Sequence, residues 1–374
     1  MSQPRIGGLD ALRGLAALAV FVCHIAAYWS GLGLPHLVYT AAQVGAHGVD
    51  VFVVLSGFVL TLPLIAPGRS LNVRQFYGRR MWRILPAYWV ALAFATVLAA
   101  GPLWDRVVGQ QATLWDVVVH VFALQTVFVP TLGSINGSLW SISLEILLYL
   151  VFPLLVVLLH RLGGLVLVLA AVGLTFLTWW SGTIFSISGV FGGFIGDGHS
   201  LPMRVVQFVA GMVLASVLLQ PGSTALDPTR RNRVRAVVAS VITGLIATAA
   251  STYDVPQGIN LSLWAACGAA LVWLFALLPT GPMMRVLDTA GTRAYSFYLV
   301  HQPIVLLAWG VIADLPGAPV AVLAYGGLLT FLVVCAAAEV LFRFVERPSH
   351  RHAVRRFPNA VRRPPDAVRQ VVSS

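Results

Sequence analysis

Eleven stretches of this chain are apolar and long enough to cross a bilayer as helices, at roughly 12–30, 45–66, 78–100, 113–130, 139–160, 164–182, 203–219, 236–253, 260–279, 294–312 and 318–341. A crossing needs about 20 such residues, and a sequence that is 58% hydrophobic and 10% charged over 374 residues has little left to coat a water-soluble core. The chain therefore reads as all-α: a polytopic transmembrane helix bundle forming one domain over residues 1–342, with no internal repeat. The Arg- and Pro-rich stretch 343–374 reads as a basic, disordered cytoplasmic tail. The first apolar run has no cleavage site behind it and reads as a retained helix. Cys23, Cys267 and Cys335 all lie inside apolar runs and read as small buried hydrophobes, not disulfide partners.

Arginine placement orients the bundle. The formal net charge is +11, and with no lysine in the sequence all 24 Lys+Arg residues are arginine. Basic residues collect on cytoplasmic loops, so Arg5, the cluster Arg69–Arg83, the group Arg230–Arg235, Arg285, Arg293 and the tail belong on the cytoplasmic side. This positive charge reads as membrane orientation, and no nucleic-acid-binding module is visible. Eleven crossings would put the tail opposite the N-terminus, so one segment must fail to span. The candidate is 113–130, which is short and carries Asp116, His120 and Gln125, whose exposure to lipid would be costly. The expected arrangement is about ten spanning helices plus one interfacial or re-entrant helix near 113–130, with both termini cytoplasmic.

Two ionisable residues sit in the first run. Arg13 lies near its cytoplasmic end, and His24 lies eleven residues on, roughly 16 Å deeper at the helical rise. Eleven residues make three turns plus about 20°, so both project from one face, with Asp10 a turn before Arg13 on the same stripe. One reading makes His24 a packing histidine and Arg13 a snorkelling anchor. The other makes His24 a general base, since a neutral imidazole is suited to take a proton from a hydroxyl near neutral pH. His36, His47, His120, His160, His199, His350 and His352 show no spacing for metal ligation.

The segments LDALRGLAALAVFVCH, GVDVFVVLSGF, FYGRRMWRILPAYW, SLWSISLEILLYLVFP, YSFYLVHQPIV and VERP resemble, in order, the motifs of the acyltransferase-3 family of integral-membrane acyltransferases. The resemblance covers about residues 6 to 348. It implies a bundle of about ten helices in a bacterial cytoplasmic membrane, transferring an acyl group, most often acetyl, from cytoplasmic acyl-CoA to a hydroxyl of an acceptor at the outer side. That acceptor is usually carbohydrate; a glycolipid or glycosylated small molecule also fits. Acyl-CoA would be a co-substrate, and no permanently bound cofactor or metal is expected. Some members carry a fused esterase-like domain, for which this chain is expected to have no room. The competing reading is a transporter without group-transfer chemistry, which shares intramembrane charges and Gly-rich segments.

On this resemblance His24 is the expected general base. Arg80 and Arg83 match the family's Arg-x-x-Arg and, with Arg13, would hold the phosphates of the donor, because guanidinium binds phosphate bidentately and keeps its charge. Glu145 lies six residues into an apolar run and needs a partner; it could bond the acceptor, fix the tautomer of His24 or lock arginines of another helix. His301, in the Tyr-Leu-x-His motif, is expected on the donor side. Asp50, Trp140 and Ser143 are expected to line the acceptor side, while Ser56 and Gly57 read as helix-packing residues.

Overall fold

The computed structural model describes residues 6–66, 68–108, 111–185, 198–253, 255–279, 281–313 and 319–362. The helices are α1 (Leu9–Tyr28), α2 (His36–Gln43), α3 (Gly48–Thr61), α4 (Val73–Ala99), α5 (Pro102–Val108), α6 (Leu114–Val121), α7 (Trp140–Phe185), α8 (Leu201–Leu218), α9 (Arg230–Thr252), α10 (Gln257–Ala276), α11 (Pro282–Gly291), α12 (Ala294–Ile312), α13 (Pro319–Leu341) and α14 (Arg347–Arg356). Nine segments among the described residues are long and apolar enough to cross a membrane. One of them contains α7, whose 46 residues would extend about 69 Å at the helical rise, more than twice the hydrocarbon thickness. Gly163 resolves this: its φ of 77° and ψ of 165° break α7 into 140–162 and 164–185. A side chain at that φ would be strained, which is why glycine occupies the break. Two crossings replace one, which makes ten among the described residues.

The segment 113–130 is absent from the spanning set, as expected from its polar residues. Only residues 114–121 of it are α-helical, and they lie along the rim with Leu114 and Trp115 exposed, as is Phe122 just after them, and Asp116, Val119 and His120 buried. Thr113 and Asp116 form a capping box: the Asp116 carboxylate accepts from the Thr113 backbone N–H at 2.8 Å, and the Thr113 hydroxyl accepts from the Asp116 N–H at 3.2 Å. Burial opposes ionisation of Asp116, but the Thr113 donors outweigh it, and the carboxyl titrates below its ordinary value. α4 holds the far end, with the Tyr88 hydroxyl donating to the His120 carbonyl at 2.5 Å and Trp89 Nε1–H to that of Val121 at 2.9 Å.

Packing follows small residues. α3 and α8 approach until a Cβ at Gly57 would collide with the Phe208 carbonyl and one at Gly211 with that of Val54, so Gly57 is the packing residue it was expected to be. α11 lies against the start of α1, where Asp288 Oδ1 accepts from the Ala11 N–H at 2.9 Å and Gly291 meets the Asp10 carbonyl. That contact seats the turn carrying Arg13, which bonds Asp10.

Residues 343–362, expected to be disordered, fold against the bundle; residues 363–374 lie outside the described residues. α13 runs through a π-helical turn, Phe342–Glu346, into α14. The Ser296 hydroxyl donates to Glu346 at 2.5 Å, and the ring of Phe357 fills the space over Gly78 of α4. Val361 and Arg362 pair antiparallel with Leu71 and Ser70. Charge density misled because a few apolar residues, Ala353 and Phe357 among them, suffice to dock an otherwise basic segment.

Replacing Gly211 by alanine forces a methyl into the α3–α8 contact and should destabilise the detergent-solubilised protein by about 1–3 kcal/mol. Gly173→Ala, with nothing within 4 Å of the new Cβ, should leave the thermal midpoint unchanged or slightly raised. Equal behaviour of the two variants in a thermal melt would contradict this packing.

Candidate active site

Three polar constellations lie inside the bundle. The first is a cavity bounded by α1, α3, α4, α7 and α12. Arg80 and Arg83, three residues apart on one face of α4, line it together with Arg13 of α1. The Arg80 guanidinium stands over the rings of Phe76 and Tyr149, 5.8 and 5.7 Å from their centroids. Its Nε is buried without a hydrogen-bond partner among the described residues. Arg13 is compensated by Asp10, whereas neither Arg80 nor Arg83 has an ion pair among the described residues. Glu145 faces the same cavity. Its Oε1 accepts from the Tyr149 hydroxyl, one turn on, and from the Ser56 hydroxyl at 3.3 Å. Beyond an apolar stretch that includes Phe52 and Leu148, the lining reaches Ser141 and Tyr298, whose hydroxyls lie 2.9 Å apart.

The second constellation is a pair of imidazoles. His24 Nδ1 lies 2.8 Å from His301 Nε2, and the rings stack at a centroid distance of 5.0 Å. On its other side His24 stacks with Tyr28 at 5.4 Å. His301 Nδ1 lies 2.6 Å from the carbonyl oxygen of Tyr298. Pro303 lies inside α12 and has no N–H for the Leu299 carbonyl one turn back; the Asn136 amide donates there instead, at 3.0 Å. The Gln302 side chain bonds the Tyr28 hydroxyl and the Ser138 N–H. Tyr298 joins the two constellations, since it lines the cavity and its ring centroid is 5.2 Å from that of His301.

The third constellation lies at the opposite end of α3. Asp50 is 1% exposed, and it is saturated: His47 Nδ1 at 2.6 Å on one oxygen, Arg204 and the Gln207 amide at 2.9 Å on the other. Arg204 also stands over Trp140 at 5.0 Å, so Asp50 and Trp140 meet through it. His47 stacks on Trp264 at 3.8 Å.

The structure thus unites Arg13, Arg80, Arg83 and Glu145 around one cavity and Asp50 with Trp140 around one arginine. Three expectations change. His301 does not line the arginine cavity; it holds His24. Glu145 bonds Ser56 and Tyr149, so it is not the partner of His24, and Ser56 is a lining residue as well as a packing one. Ser143 is fully buried between the Thr126 hydroxyl at 2.7 Å and the Ala123 carbonyl at 2.6 Å. There it pins the loop after α6, away from Asp50, because the polar groups of that loop need partners. Tyr149, Tyr298 and Arg204 were missed. The tyrosines stand at helical spacing from Glu145 and His301, and Arg204 is an arginine at the wrong end of its helix for the rule that placed the others.

A family model described as an acyltransferase domain matches residues 6–339. YrhL of Bacillus subtilis is 27% identical over 94% of this chain and 56% of its own length. The acyltransferase MdmB of Streptomyces mycarofaciens is 28% identical over 79% of this chain and 78% of its own length. The peptidoglycan O-acetyltransferase OatA of Listeria monocytogenes is 25% identical over 94% of this chain and 57% of its own length. The chain spans just over half the length of YrhL and OatA. No solved structure matches it. With the match running through every motif that builds the cavity and the imidazole pair, the chain belongs to the acyltransferase-3 family of integral-membrane acyltransferases.

Proposed function

We propose that this protein is a membrane O-acyltransferase that moves an acyl group, acetyl in the first instance, from acyl-CoA to a hydroxyl of a carbohydrate or glycoside, with His24 as general base. The observation that carries the reading is the pair Arg80 and Arg83, cationic groups lining a cavity with no ion pair to a carboxylate among the described residues. The pyrophosphate and ribose phosphate of coenzyme A are the complement of such a group, and a pantetheine arm is slender and largely apolar, like the stretch past Phe52 and Leu148 toward Tyr298. The names of OatA and its staphylococcal counterpart, both O-acetyltransferases, support acetyl transfer to oxygen.

The chemistry uses few groups. The acceptor hydroxyl gives its proton to His24 as its oxygen attacks the thioester carbonyl. The C–O bond forms, the C–S bond breaks, and the proton passes from His24 to the departing thiolate. Glu145, held by Tyr149 and Ser56, keeps one oxygen free of these bonds to face the cavity. Trp140 and Arg204, at the other end of α3, offer an aromatic face and donors of the kind that bind sugars and are assigned to the acceptor, with the saturated Asp50 holding Arg204 in place. The arginine-rich side is the cytoplasmic one, with both termini on it, in a bacterial cytoplasmic membrane.

Acetyl-CoA binding and CoA release, measured on purified protein with a panel of sugars and muropeptides, test the reading. The Arg80→Ala, Arg83→Ala double variant should bind acetyl-CoA at least about 100-fold more weakly, since a charge-assisted contact contributes roughly 1.5–3 kcal/mol. Unchanged donor affinity would return both arginines to membrane anchoring. His24→Ala should keep donor affinity and lose about 10²–10⁴-fold in turnover; substrate flux without CoA release would favour a transporter. For orientation, Gly133→Cys should react with an impermeant maleimide on intact cells and Gly222→Cys only after permeabilisation. The reverse pattern would invert the topology.

A further inference from the structure

The imidazole pair carries information beyond its proximity, because one end of it terminates on an atom that cannot donate. A backbone carbonyl has only lone pairs, so the 2.6 Å contact from His301 Nδ1 to the Tyr298 oxygen requires the hydrogen on Nδ1. His301 is fully buried and makes no contact with a carboxylate among the described residues, and an unpaired imidazolium there would be costly, so it carries that one hydrogen only. Its Nε2 is then a lone pair. The 2.8 Å contact with His24 is made by His24 Nδ1–H donating to it. His24 Nε2 is left without a hydrogen, and it makes no hydrogen bond among the described residues.

We infer that His301 is a positioning residue that fixes His24 as its Nδ1–H tautomer, with Nε2 as the nitrogen that takes the acceptor's proton. The inference rests on the reading of His24 as base and adds which nitrogen is basic and what makes it so. Free imidazole side chains prefer the opposite tautomer, so the chain Tyr298 C=O to His301 to His24 has to impose it. It also restrains the ring, since His24 meets His301 through that contact and lies 5.4 Å from the ring of Tyr28, which is held by Gln302. When Nε2 accepts the proton, His24 becomes an imidazolium and its Nδ1–H bond to His301 becomes charge-assisted and stronger. The proton later leaves from the same Nε2 to the thiolate, so His301 ends the cycle unchanged. A neutral imidazole here serves as the orienting group, the part that a carboxylate plays in a Ser-His-Asp triad.

Two variants separate this role from packing. In His301→Gln the amide can still donate to the Tyr298 carbonyl while its oxygen accepts from His24; His301→Met fills similar space with neither group. Full-length protein labelled with 15N-histidine gives the His24 ring signals by difference from His24→Gln. In wild type and in His301→Gln, Nδ1 should be protonated and Nε2 of the unprotonated type, and in His301→Met that preference should be lost. Turnover of acetyl-CoA should follow: His301→Gln within about tenfold of wild type, His301→Met down by about 10²–10⁴-fold at unchanged acetyl-CoA affinity. A wild-type His24 protonated on Nε2, or one whose tautomer is unchanged in His301→Met, overturns the inference. If His301→Met does not fold, the wild-type and His301→Gln spectra still decide. Retained turnover in His24→Gln, with wild-type His24 protonated on Nδ1, would sink the base assignment alone.

Discussion

A charge or an unpaired polar group in hydrocarbon costs several kcal/mol, and the rest of this bundle is arranged around how that cost is met. Asp50 is answered completely, by an imidazole, a guanidinium and an amide from α8 and the turn before α3. The two imidazoles are answered by each other and then by a carbonyl. Among the described residues Arg80 is answered only by the π faces of Phe76 and Tyr149, which supply electrostatic attraction but no acceptor. That gradation, from saturated to open, separates the parts of the interior that hold the bundle together from the part arranged for an anion.

The backbone obeys the same rule at its irregular points. Pro303 releases a carbonyl, and Asn136 from the loop before α7 takes it up. Ala123 has a positive φ of 54° where the chain turns back after α6, and its carbonyl is taken by Ser143. Both repairs draw the 123–139 loop onto α7 and α12, so the segment that fails to cross braces the helix carrying His301. The Ser138 N–H on Gln302 and the Tyr298 hydroxyl on the Ser138 carbonyl, 2.9 Å away, extend that brace.

Much of this was legible before any coordinates, for a local reason. Hydropathy and helical spacing are short-range properties, so the crossings, the rim position of 113–130, and the shared face of Arg80 with Arg83 could be read residue by residue. What failed depended on which helices meet. Nothing in Tyr-Leu-x-His says that its imidazole lies on α1, and Ser143 looked like a neighbour of Trp140 until the loop folded over it. His47 carried no metal-binding pattern and was set aside, yet it is half of the answer to Asp50. The docked residues 343–362 were hidden because composition averages away the one aromatic ring that seats them.

The break at Gly163 has a consequence for the chain as a whole. With α7 counted as two passes, the number of passes among the described residues is even, and Leu9 and Arg356 lie at the same end of the bundle, the end of Arg80 and Arg83. Had α7 been a single tilted rod, the chain would have ended on the far side. As built, any segment that continued from the docked C-terminal helix would start at the Arg80 end of the bundle and would have to run the bundle's length once more to reach the Asp50 end. One glycine in the left-handed region therefore fixes the end of the bundle at which an appended sequence would start.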